Sequence, residues 1–364
     1  MKEVLIKEYN NLKNLRIKPK KDDFLYNIHF VEGAFCEIRG AEDTEFRIEF
    51  IDKKDGKFLH HHDINNNMWT RTNTRYFVDY LIKVKNRNTG EVIHECEYNA
   101  KGKRVMICFD SKAIGDTLAW FPYVEEFRKK HQCEVIVSTF HNEWFKDNYP
   151  DLEFIEPGDT AYNLYARYDI GWYYDKAEYD ENNTINFNKT PTDFRKNPLG
   201  KTCSDILGLD FKEIKPKLTF KNTGPTIEGD YVVIAPHGSA HAKYWNKKGG
   251  WQDVIDHLNN NGYKVVMITQ EPLGDEWHDS KLGGTLKGVI DKTGDAPLSE
   301  RANDIINWDP SPYTDSYMNN PDAGLFDTQP APIDLKERTW ALASLVSKQN
   351  WLKQQYFTWP VKTF

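Results

Sequence analysis

Two polar turns in the sequence carry residues that could do chemistry. In the first turn, Gly115, Asp116 and Thr117 follow the apolar run 105–109 and precede a helical pattern. A carboxylate at the start of a helix can serve as its N-cap, or it can face a ligand and accept a proton. The sequence leaves both roles of Asp116 open, and Asp110, which ends the same apolar run, is the second candidate for a base.

The second turn follows the apolar run 231–235 and consists mainly of small residues. Backbone N–H groups in such a turn, together with the positive end of a following helix, can bind phosphate. Gly238 and Ser239 suit this role, and Lys243 is close enough in sequence to neutralise a diphosphate. An ordinary strand-to-helix loop with a surface lysine explains the same pattern equally well.

Two series of alternating elements must position these turns. Residues 103–207 alternate apolar runs with helical patterns, and residues 231–306 do so again after a Gly/Pro/Thr linker at 222–229. This alternation predicts parallel α/β sheets, which bind ligands beyond the carboxyl ends of their strands. We therefore expect two Rossmann-like domains, 101–222 and 223–364, that face each other across a cleft.

The N-terminal part of the chain has a different pattern. Short runs rich in β-branched and aromatic residues are separated by turns such as Lys54-Asp55-Gly56, which predicts a small antiparallel β domain within 1–100. This domain carries no catalytic constellation and is expected to act as an accessory module. His60–His62 could bind a metal adventitiously, but a solvated loop is the favoured interpretation. Strands are expected at 24–30, 34–38, 46–51, 76–84 and 92–98.

Composition narrows the class of function. With 364 residues and 39% hydrophobic content the chain can form two or three domains with real cores, and its net charge of −7 argues against a nucleic-acid partner. The five cysteines show neither disulfide nor zinc spacing. The N-terminus lacks a signal-peptide pattern and no run approaches a membrane span, so a cytoplasmic location is expected.

A base on one wall of the expected cleft and a diphosphate-binding turn on its other wall would suit a nucleotide-sugar glycosyltransferase. Lys243 would then stabilise the departing diphosphate without a metal, since no Asp-x-Asp pair that would hold Mg²⁺ or Mn²⁺ is present. A non-catalytic protein of the same fold that binds a sugar or a partner is the second hypothesis. The third is a nucleotide-sugar epimerase, which the absence of Gly-x-Gly-x-x-Gly after the first strand disfavours.

Four blocks of the sequence resemble the bacterial autotransporter heptosyltransferases. They start at Ile114 (IGDTLAWFPYVEEFRKKHQCEVIVST), Tyr149 (YPDLEFIEPG), Lys201 (KTCSDILGLDFKEIKPKL) and Ala242 (AKYWNKKGGWQDVIDHLNNNGYKVVMITQEP). That family is similar to the lipopolysaccharide heptosyltransferases. The resemblance implies a GT-B pair of Rossmann-like domains behind an N-terminal β domain. It also implies transfer of heptose from ADP-heptose to a hydroxyl of a protein or glycan acceptor.

The resemblance also implies roles for individual residues. Asp116 lies where the family has its catalytic Asp, with Thr117 beside it on the donor side, and Lys243 lies where the family has its diphosphate-contacting lysine. Gly238 and Ser239 join the donor site, and Glu271 lies at the strand end that approaches the nucleotide ribose. The resemblance ends near residue 305, and the Cys-rich metal-binding segment of the family is not recognisable afterwards. We therefore expect no metal site and no cofactor beyond a nucleotide-sugar donor, and the oligomeric state stays open.

Overall fold

The computed structural model describes residues 24–40, 43–176, 183–219, 222–238, 244–245 and 247–307. These residues form two compact units. Unit 1 comprises the described residues up to Asn142 together with Tyr149–Ile214, and unit 2 comprises Glu143–Asn148 and the described residues from Lys215 onward. The division into three domains made from the sequence stays a prediction.

Unit 1 begins with antiparallel strands, and every second side chain of such a strand is buried in the core. In one of these strands, for example, Phe46, Ile48 and Phe50 are fully buried, while the residues between them face outward. The strands are β1 (Leu25–His29), β2 (Phe35–Arg39), β3 (Glu45–Asp52), β4 (Lys57–Asn65), β5 (Met68–Arg71), β6 (Tyr80–Asn86) and β7 (Val92–Glu97). Strands β1, β2 and β5 form one sheet in that order, and the order of the other sheet is β4-β3-β6-β7.

The prediction that His60–His62 lie in a solvated loop is wrong, because they lie in strand β4. They pair with β3, where the ring of His60 stacks on Phe50 at 4.9 Å, and His62 hydrogen-bonds Thr70. Since neighbouring side chains of a strand point to opposite faces, only His60 and His62 share a face. Three adjacent histidines in a strand therefore do not converge on one metal ion.

A parallel sheet completes unit 1 and places the first polar turn. Phe30, which follows β1, donates its N–H to Tyr165 O at 2.6 Å and thereby joins the N-terminal strands to this sheet. The helix Ile114–His131 buries Leu118, Phe121, Val124 and Phe127, as its periodicity predicts. The elements are β8 (Arg104–Phe109), α1 (Ile114–His131), β9 (Glu134–Ser138), β10 (Leu152–Phe154), β11 (Leu164–Ile170) and α2 (Leu199–Ile206), with sheet order β10-β9-β8-β11.

Unit 2 repeats the parallel arrangement on a smaller scale. Its core lies between the sheet and two helices, and it includes Ile234, Ile255, Leu258, Val265, Met267 and Leu282. None of the helices in the described ranges has the length and apolar character that a membrane span needs. The elements are β12 (Tyr231–Ile234), α3 (Gly250–Asn260), β13 (Lys264–Met267), α4 (Glu276–Leu282), β14 (Val289–Asp291) and α5 (Leu298–Ile306), with sheet order β12-β13-β14.

His131, at the end of α1, makes the stability of unit 1 depend on pH. Its ring packs on Phe77, Phe127 and Tyr98, and burial together with Lys130 lowers its pKa to about 4. The pKa of a histidine in an unfolded chain is about 6.5, so between these values the unfolded chain binds the extra proton. The free energy of unfolding therefore falls as the pH is lowered through this window, and it is fully retained above it.

We expect the variant His131→Phe to lose this part of the pH dependence, because phenylalanine keeps the aromatic packing and cannot be protonated. Urea denaturation near pH 7.5 and near pH 5 measures the effect in both proteins. The wild type should lose more of its free energy of unfolding than the variant. Equal losses would show that His131 does not carry this pH dependence.

Candidate active site

Asp116 lies in the first turn of α1, beyond the carboxyl end of β8. The N-cap of this helix is Ala113, which has an extended backbone and makes no side-chain cap. Asp116 is therefore the third helical residue, and its interpretation as the N-cap is wrong. Since side chains after a parallel strand face the ligand-binding edge of a sheet, its carboxylate is available for chemistry.

Two hydrogen bonds orient the carboxylate of Asp116. The hydroxyl of Ser111 and the indole N–H of Trp172 both donate to Oδ2, at 2.6 Å and 2.8 Å. The N–H of Ala113 in turn donates to Ser111 Oγ at 3.1 Å, which holds this hydroxyl in place. Within the described residues, Oδ1 receives no hydrogen bond. This second oxygen therefore keeps its capacity to accept a hydrogen bond from a ligand.

Trp172 is a site residue that the sequence did not single out. Its ring packs against Phe194 at 5.0 Å and against Trp120 at 5.3 Å, so the indole N–H has a defined direction. Gly171 makes the turn before it possible, because an added Cβ there would lie 2.9 Å from Tyr173 Oη and 3.1 Å from Asp110 Cβ. The density of aromatic residues at 162–179 was the available signal.

The structure also places Thr117 and Asp110. Thr117 is fully buried, and its N–H and its hydroxyl both donate to Ala113 O at 3.2 Å. Asp110 has an exposed side chain, and its N–H donates to Ile170 O at 2.9 Å, which ties the ends of β8 and β11 together. A contact between Thr117 and the donor stays a prediction.

In unit 2, Gly238 follows His237 beyond the carboxyl end of β12, while Ser239 and Lys243 lie outside the described residues. His237 is buried, and burial with the neighbouring His278 lowers its pKa, which favours the neutral imidazole. Its Nε2 lies 3.6 Å from Asp279 Oδ1, yet neither side chain has a hydrogen-bond partner within the described residues. A buried polar pair therefore lies next to the predicted diphosphate turn.

Glu271 lies beyond the carboxyl end of β13 and is partly exposed. Its Oε1 is 3.8 Å from Nε2 of His278, and the ring of His278 lies 5.1 Å from that of His237. The two histidines thus connect the predicted ribose-binding Glu271 with the residue that precedes Gly238. The donor-binding roles themselves stay predictions. His237, His278 and Asp279 were missed, since no spacing along the sequence links them.

Comparison with known proteins adds independent evidence. No protein-family model matches the sequence. BAHTCr, an autotransporter heptosyltransferase of Citrobacter rodentium, is 31% identical over 288 residues, which are 78% of this chain and 65% of BAHTCr. The crystal structure of TibC, an iron-containing dodecameric glycosyltransferase from enterotoxigenic E. coli, matches with a TM-score of 0.66 and 27% identity, covering 80% of this chain and 73% of TibC. The chain is a homologue of the autotransporter heptosyltransferases.

The structural similarity to TibC supports the fold of this chain. A second structure of TibC, in complex with ADP-D-β-D-heptose, matches with a TM-score of 0.65 and 26% identity. The homologues are glycosyltransferases, and the parallel α/β sheets of both units are consistent with that fold. The chain spans less than two-thirds of the length of BAHTCr. It also matches BimC of Burkholderia thailandensis, an inactive autotransporter heptosyltransferase, with 27% identity over 64% of this chain and 52% of BimC.

The expectation of no cofactor is wrong, because both TibC structures are of an iron-containing enzyme. The described residues of this chain nevertheless do not fit an iron site. Nowhere among them do three His, Cys, Asp or Glu side chains converge to hold a metal ion. The free cysteines Cys36, Cys96, Cys108 and Cys203 lie on four different elements, and Cys133 lies between α1 and β9. Absence of ligand spacing in this chain was therefore no guide to the metal content of its homologues.

Proposed function

We propose that this chain is a GT-B glycosyltransferase that moves heptose from ADP-heptose to a hydroxyl of a protein or glycan acceptor. The observation that carries the proposal is the carboxylate of Asp116. Ser111 and Trp172 orient it through Oδ2, and Oδ1 is left without a hydrogen bond in the described part of the chain. A carboxylate held in this way at the ligand edge of a parallel sheet suits a general base.

In the proposed reaction, Oδ1 of Asp116 takes the proton of the acceptor hydroxyl. The acceptor oxygen then bonds to the anomeric carbon of the sugar, the bond from that carbon to the diphosphate breaks, and ADP leaves. A positioned base of this kind contributes about 10²–10⁴-fold to the rate. Lys243 stabilises the negative charge that develops on the departing diphosphate, in place of a cation held by paired carboxylates.

We assign the donor to unit 2. The ADP-heptose complex of the homologous TibC supports the identity of the donor, and the turns beyond the carboxyl ends of β12 and β13 support its place. Gly238 and Ser239 contact the diphosphate through backbone N–H groups, and Glu271 approaches the ribose. The strands within 1–100 form the accessory domain. Five free thiols support a reducing compartment, so the cytoplasm is the proposed location.

A specific observation favours one alternative function. BimC, which this chain matches over 64% of its length, is an inactive member of the same group. A chain that keeps the fold and binds a sugar or a partner without turnover is therefore the second candidate. Donor binding without measurable transfer or hydrolysis would support it.

A thermal-shift panel tests the proposal directly. ADP, ADP-heptose, UDP-sugars and GDP-sugars are each added to the full chain, with and without EDTA. A ligand that binds only the folded state at 100 times its Kd adds about 2.7 kcal/mol of stability. We expect a clear shift with ADP and ADP-heptose that EDTA leaves intact. Shifts only with UDP- or GDP-sugars would overturn the donor assignment, and a shift abolished by EDTA would overturn metal-independent donor binding.

The variant Lys243→Ala is measured in the same panel, with Lys248→Ala, an exposed neighbour, as the control. We expect loss of the diphosphate contact to weaken ADP binding about tenfold or more, since hydrogen bonds between charged groups are the stronger ones. The control should bind ADP like the wild type. Equal affinities of the two variants would reject the diphosphate role of Lys243.

A further inference from the structure

A charged cavity of about 340 Å³ lies in unit 1, at the carboxyl ends of β8 and β11. This volume is at the small end of ligand-binding pockets. Connections between the N-terminal strands contribute Glu32 and Arg75 to its wall. The charged side chains that line it are Glu32, Arg75, Asp110, Arg167, Asp169 and Lys189.

Some of these charges neutralise one another. Arg167 Nε lies 2.9 Å from Asp169 Oδ1 on the same strand. Glu32 Oε2 accepts from Nη1 of Arg71 at 2.9 Å, whereas Arg75 Nη1 remains 3.8 Å away. Arg167 and Glu32 therefore already have partners.

Three hydrogen-bond donors in the cavity wall have no hydrogen-bond partner within the described residues. The hydroxyl of Tyr173, a residue that is only 8% exposed, is buried without a hydrogen bond. Nη1 of Arg75 is also buried without a hydrogen bond, and its ion pair with Glu32 is long, at 3.8 Å. Lys189 Nζ lies 4.8 Å from the ring centre of Tyr173, and no carboxylate of the described chain forms an ion pair with it. Burial and Asp169 raise the pKa of Tyr173, so its hydroxyl stays protonated and able to donate.

These donors suit a carboxylate. A carboxylate offers two oxygens with about four lone-pair sites, and it forms strong hydrogen bonds with guanidinium and ammonium groups. A phosphate would bring up to two negative charges close to Asp110 and Asp169, and this repulsion disfavours it. The unpaired donors therefore favour a singly charged carboxylate.

The cavity also adjoins the proposed base. Trp172, next to Tyr173 in sequence, donates to Asp116, and so does Ser111, which follows Asp110. In each of these two loops, one residue donates a hydrogen bond to Asp116 and the residue beside it lines the cavity. A ligand held in the cavity would contact residues that are adjacent in sequence to the two that orient Asp116.

We propose that the cavity binds a carboxylate side chain of the acceptor, close in sequence to the hydroxyl that receives the sugar. Arg75, Lys189 and the hydroxyl of Tyr173 hold this carboxylate. The site selects acceptor segments in which an Asp or Glu neighbours a Ser or Thr. This inference rests on the proposed function, because it takes the ligand of unit 1 to be the acceptor.

Binding without a donor tests the inference. The probes are acetyl-Gly-Ser-Asp-Gly-amide, the matched peptide with Asn for Asp, and inorganic phosphate, titrated into the full chain by calorimetry. We expect the Asp peptide to bind at least about tenfold more tightly than the Asn peptide, because only a carboxylate forms charge-assisted hydrogen bonds with these donors. Equal affinities, or no binding of the Asp peptide at millimolar concentration, would overturn the proposal. Phosphate binding tighter than the Asp peptide would overturn the choice of ligand.

Variants assign the binding to this cavity. Lys189→Gln and Tyr173→Phe should each weaken binding of the Asp peptide several-fold, while Lys196→Gln, a highly exposed lysine of the same unit, should not. Tyr173→Phe removes a hydroxyl without a partner, so its melting temperature should not fall. Equal binding by Lys189→Gln and Lys196→Gln would place the peptide elsewhere. Charge-dependent peptide binding in a chain that transfers no sugar would reject the proposed function and leave the cavity assignment standing.

Discussion

The variant Asp116→Asn is expected to transfer sugar at least about 100-fold more slowly than the wild type, with folding and donor binding unchanged. Asparagine has the same shape as aspartate, and its side-chain oxygen can still accept from Ser111 and Trp172. The amide nitrogen then takes the place of Oδ1 and cannot accept a proton. The substitution therefore removes the base and keeps the hydrogen bonds that position it.

Initial rates with ADP-heptose, the melting temperature and ADP affinity together measure this effect. Asp110→Asn is the discriminating variant, because Asp110 is the other carboxylate at the end of β8. Its loss of rate should be smaller, since no hydrogen bond in the described structure orients its side chain toward a substrate. A larger loss in Asp110→Asn than in Asp116→Asn would move the role of base to Asp110.

The second large effect concerns the stability of unit 1. Gly208 follows α2 with a φ of +63°, and an added Cβ there would lie 2.1 Å from Cδ1 of Phe77. Gly102 has almost the same φ, +64°, and nothing lies within 4 Å of its added Cβ. Both Gly→Ala variants carry left-handed strain of about 1–2 kcal/mol, and Gly208→Ala adds a steric overlap of about 1–3 kcal/mol.

Phe77 cannot easily move away from this overlap. Its N–H donates to Ile206 O at 2.8 Å, and its ring packs on Tyr98 and Phe127. Urea denaturation should therefore show Gly208→Ala as the less stable variant by about 1–3 kcal/mol relative to Gly102→Ala. Similar losses in both variants would mean that Phe77 repacks without cost.

Much of the fold was predictable from the sequence because the relevant signals are local. The sequence predicts helix α1 because the spacing of its apolar residues follows the helical period. All four of them are buried: Leu118, Phe121, Val124 and Phe127. The sequence did not predict strand β4 and helix α4, because no local signal marks them. His60–His62 and the polar residues of α4 show no clean period, and these segments are ordered by pairing with β3 and by packing on the core of unit 2.

The sequence by itself determined the α/β class, the position of Asp116 after the first parallel strand, and the relation to the heptosyltransferases. It could not determine what surrounds that carboxylate. Ser111 lies five residues from Asp116 and Trp172 lies 56 residues away, yet both donate to the same oxygen. Arg75 and Lys189 likewise reach one cavity from distant parts of the chain. Such convergence depends on how strands β8 and β11 pair, and only the tertiary structure decides that pairing.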